Sequence, residues 1–294
     1  MLRRLRKTLL AALAVQLASC ASAPAPVPVP APVAPAAHVV PAHPRDAVTA
    51  AAIERVLAGE HRSAESRARD AYRHPLDTLL FFGIKPDMTV AETWPGPDGW
   101  YTEILAPLLV GSGKLYAAQM PGAAGNEFIT TRLAQYSAKL AARPDLYGKV
   151  TQTTLAPPGA GPAPDGSCDL VVSIRNLHNW MSLGNAKQAL ESIHRALKAG
   201  GILGVVESRA DPAKPPDPRA TNGYVSENYA IQLIESAGFE LVERSGVNDN
   251  PKDTRDYEQG VWTLPPNLRQ GSRDREKLEE IGESDRFTLK FRKR

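Results

Sequence analysis

Between residues 89 and 207 the apolar positions alternate between short unbroken runs and helical repeats. Thr89-Val90-Ala91-Glu92 predicts a buried strand after the Lys85-Pro86-Asp87 turn, and Tyr101 to Leu109 predicts a helix ended by Gly111 and Gly113. The same grammar recurs as strand 114–118, helix 127–141, strand 149–155, a Pro/Gly loop and strand 169–174. Ala189, Leu190, Ile193 and Leu197 mark a helix over 186–197 with one buried face, which Gly200-Gly201 turns into strand 202–207. A helix over 227–237 stops at Gly238, and residues 239–247 and 287–291 predict two last strands able to pair as an antiparallel unit at a sheet edge. Ahead of this core, Val48 to Leu57 and the alternately charged stretch to Asp70 predict one or two surface helices. Such alternation implies an α/β domain with a parallel sheet, because parallel neighbours need a crossover, usually a helix.

The first residues follow a different rule. Arg3, Arg4, Arg6 and Lys7 precede an apolar run from Leu9 to Leu17 that is too short to span a bilayer, which reads as a secretory signal. It ends in Leu17-Ala18-Ser19-Cys20, which resembles a bacterial lipobox and would make Cys20 the lipid-bearing mature N-terminus. The competing reading is an ordinary signal peptide with a coincidental cysteine. From Ala21 to Pro44 the chain is alanine, proline and valine, a composition that favours extended polyproline-II structure over packing. The expected organisation is a signal peptide over 1–19, a lipid-anchored tether over 20–47, N-terminal helices over 48–82 and the α/β domain over 83–294. The expected location is the periplasmic side of a bacterial envelope. An Ala21-Ser22 start without an aspartate leans toward the outer membrane.

Charge then narrows the partners. Loss of the leader removes four of the 35 basic residues and none of the 32 acidic ones, leaving a chain close to neutral. A clustered basic footprint for nucleic acid is therefore not expected, and no zinc-ligand spacing is present, so no metal is expected. If Cys20 carries the lipid, Cys168 has no disulfide partner, and it reads as a small buried apolar residue.

The chemistry concentrates after the first strand. Glu92-Thr93-Trp94-Pro95-Gly96-Pro97-Asp98-Gly99 joins that strand to a helix, where backbone N–H groups can receive the polar part of a nucleoside. Ala196-Leu197-Lys198-Ala199-Gly200-Gly201-Ile202-Leu203 resembles the turn before strand five of class I methyltransferases, and Asp169-Leu170-Val171-Val172 their fourth strand. Tyr72-Arg73-His74-Pro75, Phe82-Gly83-Ile84-Lys85-Pro86, Gly99-Trp100-Tyr101-Thr102-Glu103, Asn176-Leu177-His178-Asn179-Trp180 and Ala237-Gly238-Phe239 extend the likeness. From about Arg69 to Arg294 the chain resembles a family of exported bacterial methyltransferases.

That resemblance implies a Rossmann-like fold, with a mostly parallel seven-stranded sheet, an antiparallel edge strand and helices on both faces. It also implies S-adenosylmethionine as cofactor and a small-molecule acceptor. Glu92 would contact the methionyl end, Gly96 and Gly99 would let the backbone approach, and Gln119 would take the place of the ribose-binding carboxylate. Trp94 stands where the wider class has its first glycine. Asn176 would orient cofactor or nucleophile, and His178 would accept a proton from an attacking O–H or N–H. The polar stretch 250–257 followed by Val261-Trp262-Thr263-Leu264-Pro265-Pro266 would form a lid, with Asp253, Arg255 and Tyr257 as substrate contacts.

Two further readings stay open at this point. A non-catalytic lipoprotein could keep this fold to bind a metabolite or a partner, and Trp94 and Gln119 favour it. A nicotinamide-dependent oxidoreductase shares the grammar but lacks G-x-G-x-x-G after the first strand.

Overall fold

A computed structural model describes residues 46–122 and 125–294; the leader, the proline-rich tether and Cys20 lie outside the described residues. Four short helices open the described chain: α1 (Ala47–Leu57), α2 (Ala64–Ala68), α3 (Asp70–Arg73) and α4 (Pro75–Phe82). Asp46 caps α1 by accepting from the N–H groups of Val48 and Thr49, which satisfies two donors that have no partner inside the helix. Alternating strands and helices follow: β1 (Thr89–Thr93), α5 (Thr102–Leu109), β2 (Lys114–Gln119), α6 (Glu127–Ala142), α7 (Pro144–Tyr147), β3 (Thr151–Thr154) and β4 (Cys168–Ile174). The chain closes with α8 (Leu177–Leu183), α9 (Ala186–Ala196), β5 (Leu197–Ser208), α10 (Glu227–Ser236), β6 (Phe239–Ser245), a 3₁₀ turn over Gly260–Thr263, α11 (Arg275–Ile281) and β7 (Arg286–Lys293).

The seven strands form one sheet in the order β3-β2-β1-β4-β5-β7-β6. Strands β1 to β5 pair in parallel, and β7 runs antiparallel to both β5 and the outermost β6. The strand order reverses between β1 and β4, so the crevice outside their C-terminal ends is where an open α/β sheet receives a ligand.

Period-two alternation sends successive strand residues to opposite faces. Val90, Leu170 and Val172 enter one core with Ile53, Leu79, Phe82, Ile104 and Leu105 of the α1, α4 and α5 layer. Ala91, Val171 and Leu203 enter the other core with Trp180, Leu190, Ile193 and Ile234 of α8, α9 and α10. Gly204 is fixed by the first layer: a Cβ there would lie 2.6 Å from the Phe82 ring, so the α4 aromatic reaches the sheet only because β5 carries no side chain at that point.

Polar links hold the α1–α4 region together and join it to the sheet. Within it Arg62, fully buried, donates to both oxygens of Asp70 at 2.7 Å. Asn248 donates to the hydroxyls of Thr78 and Thr288, at 3.0 and 2.9 Å, and so ties α4 to β7. Among the described residues no helix is long and apolar enough to cross a membrane, and no cluster of His, Cys, Asp and Glu could hold a metal ion.

Candidate functional site

The loop after β1 is built from beneath. Glu92, 3% exposed, accepts a 2.6 Å hydrogen bond from the Thr102 hydroxyl, which lies 3.0 Å from the Tyr136 hydroxyl. Burial pushes the Glu92 carboxyl up to about 7, against the pull of Thr102 and Lys139. The two glycines of the loop serve different ends. At Gly99 (φ +52°) a Cβ would come within 2.8 Å of the Tyr136 ring, so this glycine admits the packing below the loop. At Gly96 (φ +75°) a Cβ would meet nothing nearer than the Arg132 guanidinium at 3.9 Å, so here the backbone faces open space. Gly96 is the cradle and Gly99 its support.

Trp94 takes a left-handed conformation (φ +40°), and its N–H donates to the carbonyl of Ala118 at the end of β2. Its indole Nε1 donates to Leu155 beyond β3 at 3.3 Å, and its ring meets Trp180 of α8 edge-on at 5.8 Å. The indole is therefore held between the segment after β3 and α8. Gln119 ends β2 next to it, and its Nε2 is sealed from solvent with no partner among the described residues. Asn176 donates from Nδ2 to the carbonyl and hydroxyl of Thr93, at 2.6 and 3.1 Å, which pins the end of β4 to the end of β1.

On the β5 side of the switch point, Glu207 holds His178. One Glu207 oxygen lies 2.9 Å from His178 Nδ1 and 3.2 Å from the His178 N–H, while the other accepts from the Ser208 N–H at 2.8 Å. Burial pushes this fully buried carboxyl up. The His178 ring, its hydrogen bond, Arg175 and the Ser208 N–H outweigh that and leave it below the ordinary carboxylate range. An ionised Glu207 selects the Nδ1–H form of His178, which leaves Nε2 as an acceptor. Trp262, from the 3₁₀ turn, packs edge-on against the ring at 6.2 Å.

The proposed lid residues are occupied elsewhere. Asp253, 2% exposed, accepts from the Tyr224 hydroxyl and from the N–H groups of Arg255 and Asp285. Arg255 donates to Asp285 at 2.6 Å, and the Tyr257 hydroxyl accepts from the Thr254 N–H. These bonds fasten the loop to the start of β7, so Asp253 and Arg255 act as its ties. Cys168 is buried, and burial pushes its thiol up to about 11, which suits a packing residue. A cavity of about 640 Å³ lies against the same loop, lined by its Pro97 and Asp98 with His61, Trp100, Glu103 and Lys139. Its Glu103 and Lys139 pair with each other, and we place the site at the strand ends, where the order of the sheet reverses.

Sequence reasoning missed Glu207, Thr102 and Arg175. The available signal was position: Glu207 closes an apolar strand as Glu92 does, and a carboxylate ending a buried strand needs a partner.

Residues 108–205 match the model of a family described as a methyltransferase domain. A SAM dependent methyltransferase from Aquifex aeolicus is 17% identical over 83% of this chain and 97% of its own, with a TM-score of 0.52. The [4+2]-cyclase SpnF is 16% identical over 80% of this chain and 85% of its own, with a TM-score of 0.55. No curated protein matches the chain. At these identities the solved structures establish the fold, and the architecture is the Rossmann-like methyltransferase one.

Proposed function

We propose that this chain, which carries a class I methyltransferase domain, uses S-adenosylmethionine to methylate a small-molecule acceptor at the switch point between β1 and β4. The fold alone does not select this chemistry, since SpnF is a [4+2]-cyclase. The observation that carries the reading is the meeting, at one sheet edge, of an open backbone cradle at Gly96, an unpartnered amide on Gln119 and a histidine oriented by a buried carboxylate. The residues fit the cofactor: Gly96 admits its approach, Gln119 offers a donor and an acceptor where ribose hydroxyls would lie, and Trp94 supplies an aromatic wall.

When bound, the cofactor supplies an electrophilic methyl group. Asn176 keeps the ends of β1 and β4 in register beneath it. His178 Nε2 takes the proton that the acceptor's O–H or N–H loses as it is methylated, and Glu207 stabilises the resulting imidazolium. Trp262 limits water at that ring.

For location, we read the chain as exported and lipid-anchored through Cys20 on the periplasmic side of the envelope; the run Leu17-Ala18-Ser19-Cys20 after a basic, apolar leader supports this. The test of function is calorimetric titration of S-adenosylmethionine and S-adenosylhomocysteine into the purified protein. Gly96→Trp and Gln119→Leu serve as controls, with their melting checked. Saturable heat weakened in both variants is expected. No heat at millimolar ligand would leave a binding lipoprotein in its place.

A further inference from the structure

Arg175 is a strained residue at the centre of the site. It directly follows β4 in the left-handed conformation (φ +58°), held there by its N–H donating to Val206 at 2.7 Å. A non-glycine side chain is rarely kept so unless something else requires it. Its guanidinium makes no hydrogen bond among the described residues, and its Nε is sealed from solvent. A sealed, unpartnered Nε recurs in Arg62, Arg255 and Arg286, but the other nitrogens of those three pair with carboxylates.

The surrounding charge does not balance. Arg69, Arg73 and Arg286 all pair with Glu283, and Glu207 is taken by His178. Arg175 lies within electrostatic reach of Arg286, Glu207, Glu283 and Arg69 and has neither carboxylate to itself. Arg175 is half-buried, and a guanidinium that no carboxylate pairs with will draw a group that supplies its partner. The position is that of an acceptor. Arg175 precedes His178 by three residues, and Arg286 stands opposite Ser208, beside Glu207, at the C-terminal edge of β5.

We propose that the methyl acceptor carries an anionic oxygen group, a carboxylate or a phosphate, bound by Arg175 with Arg286 beside it, next to His178. This names the substrate class of the site proposed above and rests on that reading. The planar guanidinium fork matches either group through paired hydrogen bonds, which a lysine could not reproduce.

The test titrates propionate, inorganic phosphate and the neutral analogue propionamide into the protein at constant ionic strength, read by calorimetry and melting temperature. Arg175→Gly and Arg175→Lys accompany the wild type. Glycine suits the left-handed backbone, so Arg175→Gly folds and separates loss of binding from loss of structure. An anion should saturate the wild type while propionamide does not. Arg175→Gly should weaken that anion about tenfold or more, and Arg175→Lys by less. The anion that saturates at lower concentration tells carboxylate from phosphate acceptors. Absence of saturable anion binding to the wild type, or unchanged affinity in Arg175→Gly, would overturn the proposal. S-adenosylhomocysteine titrated on the same samples reports the cofactor reading separately: anion binding without its heat sinks the methyltransferase and keeps the anion site.

Discussion

Replacing Glu92 by glutamine should stabilise the protein, and increasingly so as pH rises. In the folded state burial raises this carboxyl from 4.5 to about 7. Below pH 4.5 the group is protonated in both states and contributes no pH dependence. Between 4.5 and 7 the unfolded chain releases the proton while the folded one keeps it, so stability falls with rising pH; above 7 the full cost of a buried charge is present. That cost is about 3 kcal/mol at pH 8 and about 1 kcal/mol at pH 5, from the difference between the two values. Glutamine is near-isosteric, keeps an oxygen for the Thr102 hydroxyl, and never ionises. For a domain of this size about 3 kcal/mol corresponds to roughly 6–12 °C of melting temperature. Melting curves of both proteins from pH 5 to pH 8 would show the gap widening toward alkaline pH. A gap that stays flat across that range, or a variant that melts lower at pH 8, would refute the buried-carboxyl argument.

Other consequences are as direct. Gln119→Asp restores a charged double acceptor, and calorimetry should find S-adenosylhomocysteine tighter by about 1 kcal/mol or more. Once an acceptor is found, His178→Gln should lower kcat by roughly 10²–10⁴-fold with cofactor affinity unchanged. Glu207→Gln should lower kcat as well, because a neutral amide no longer orients the His178 ring through a charge-assisted hydrogen bond. Glu283→Gln leaves Arg69, Arg73 and Arg286 without their counter-ion and should cost about 3–5 kcal/mol in urea unfolding. Labelled palmitate should enter the full-length chain expressed in a bacterium and not its Cys20→Ser variant.

The sheet was legible because each of its strands carries a local signal. Thr89–Thr93 and Cys168–Ile174 are apolar runs closed by turn chemistry, and α9 repeats its apolar residues on one face. The α8 helix was less so: Leu177–Leu183 is one short helical segment whose Asn176 and His178 read as loop chemistry, and only burial of Trp180 and Met181 against the sheet makes it a helix. Of the candidate site, the positions of Gly96, Gln119 and His178 after strands could be read from the sequence. The partnership of His178 with Glu207 joins residues 29 apart through strand pairing and cannot be read locally. The bonds of Asp253 and Arg255 to Tyr224, Asp285 and the backbone likewise join residues far apart in the sequence. Arg175 leaves no sequence trace of its left-handed backbone at all.

The central claim is that the cofactor lies in the crevice outside the ends of β1, β2 and β4. Ultraviolet crosslinking of methyl-labelled S-adenosylmethionine, followed by peptide mapping, tests it most directly. The account predicts label on Trp94 or on the peptide around Gln119, displaced by excess S-adenosylhomocysteine. Absence of label, or label on His61, Trp100, Gln135 or Lys139, which line the cavity beside the loop, would contradict it.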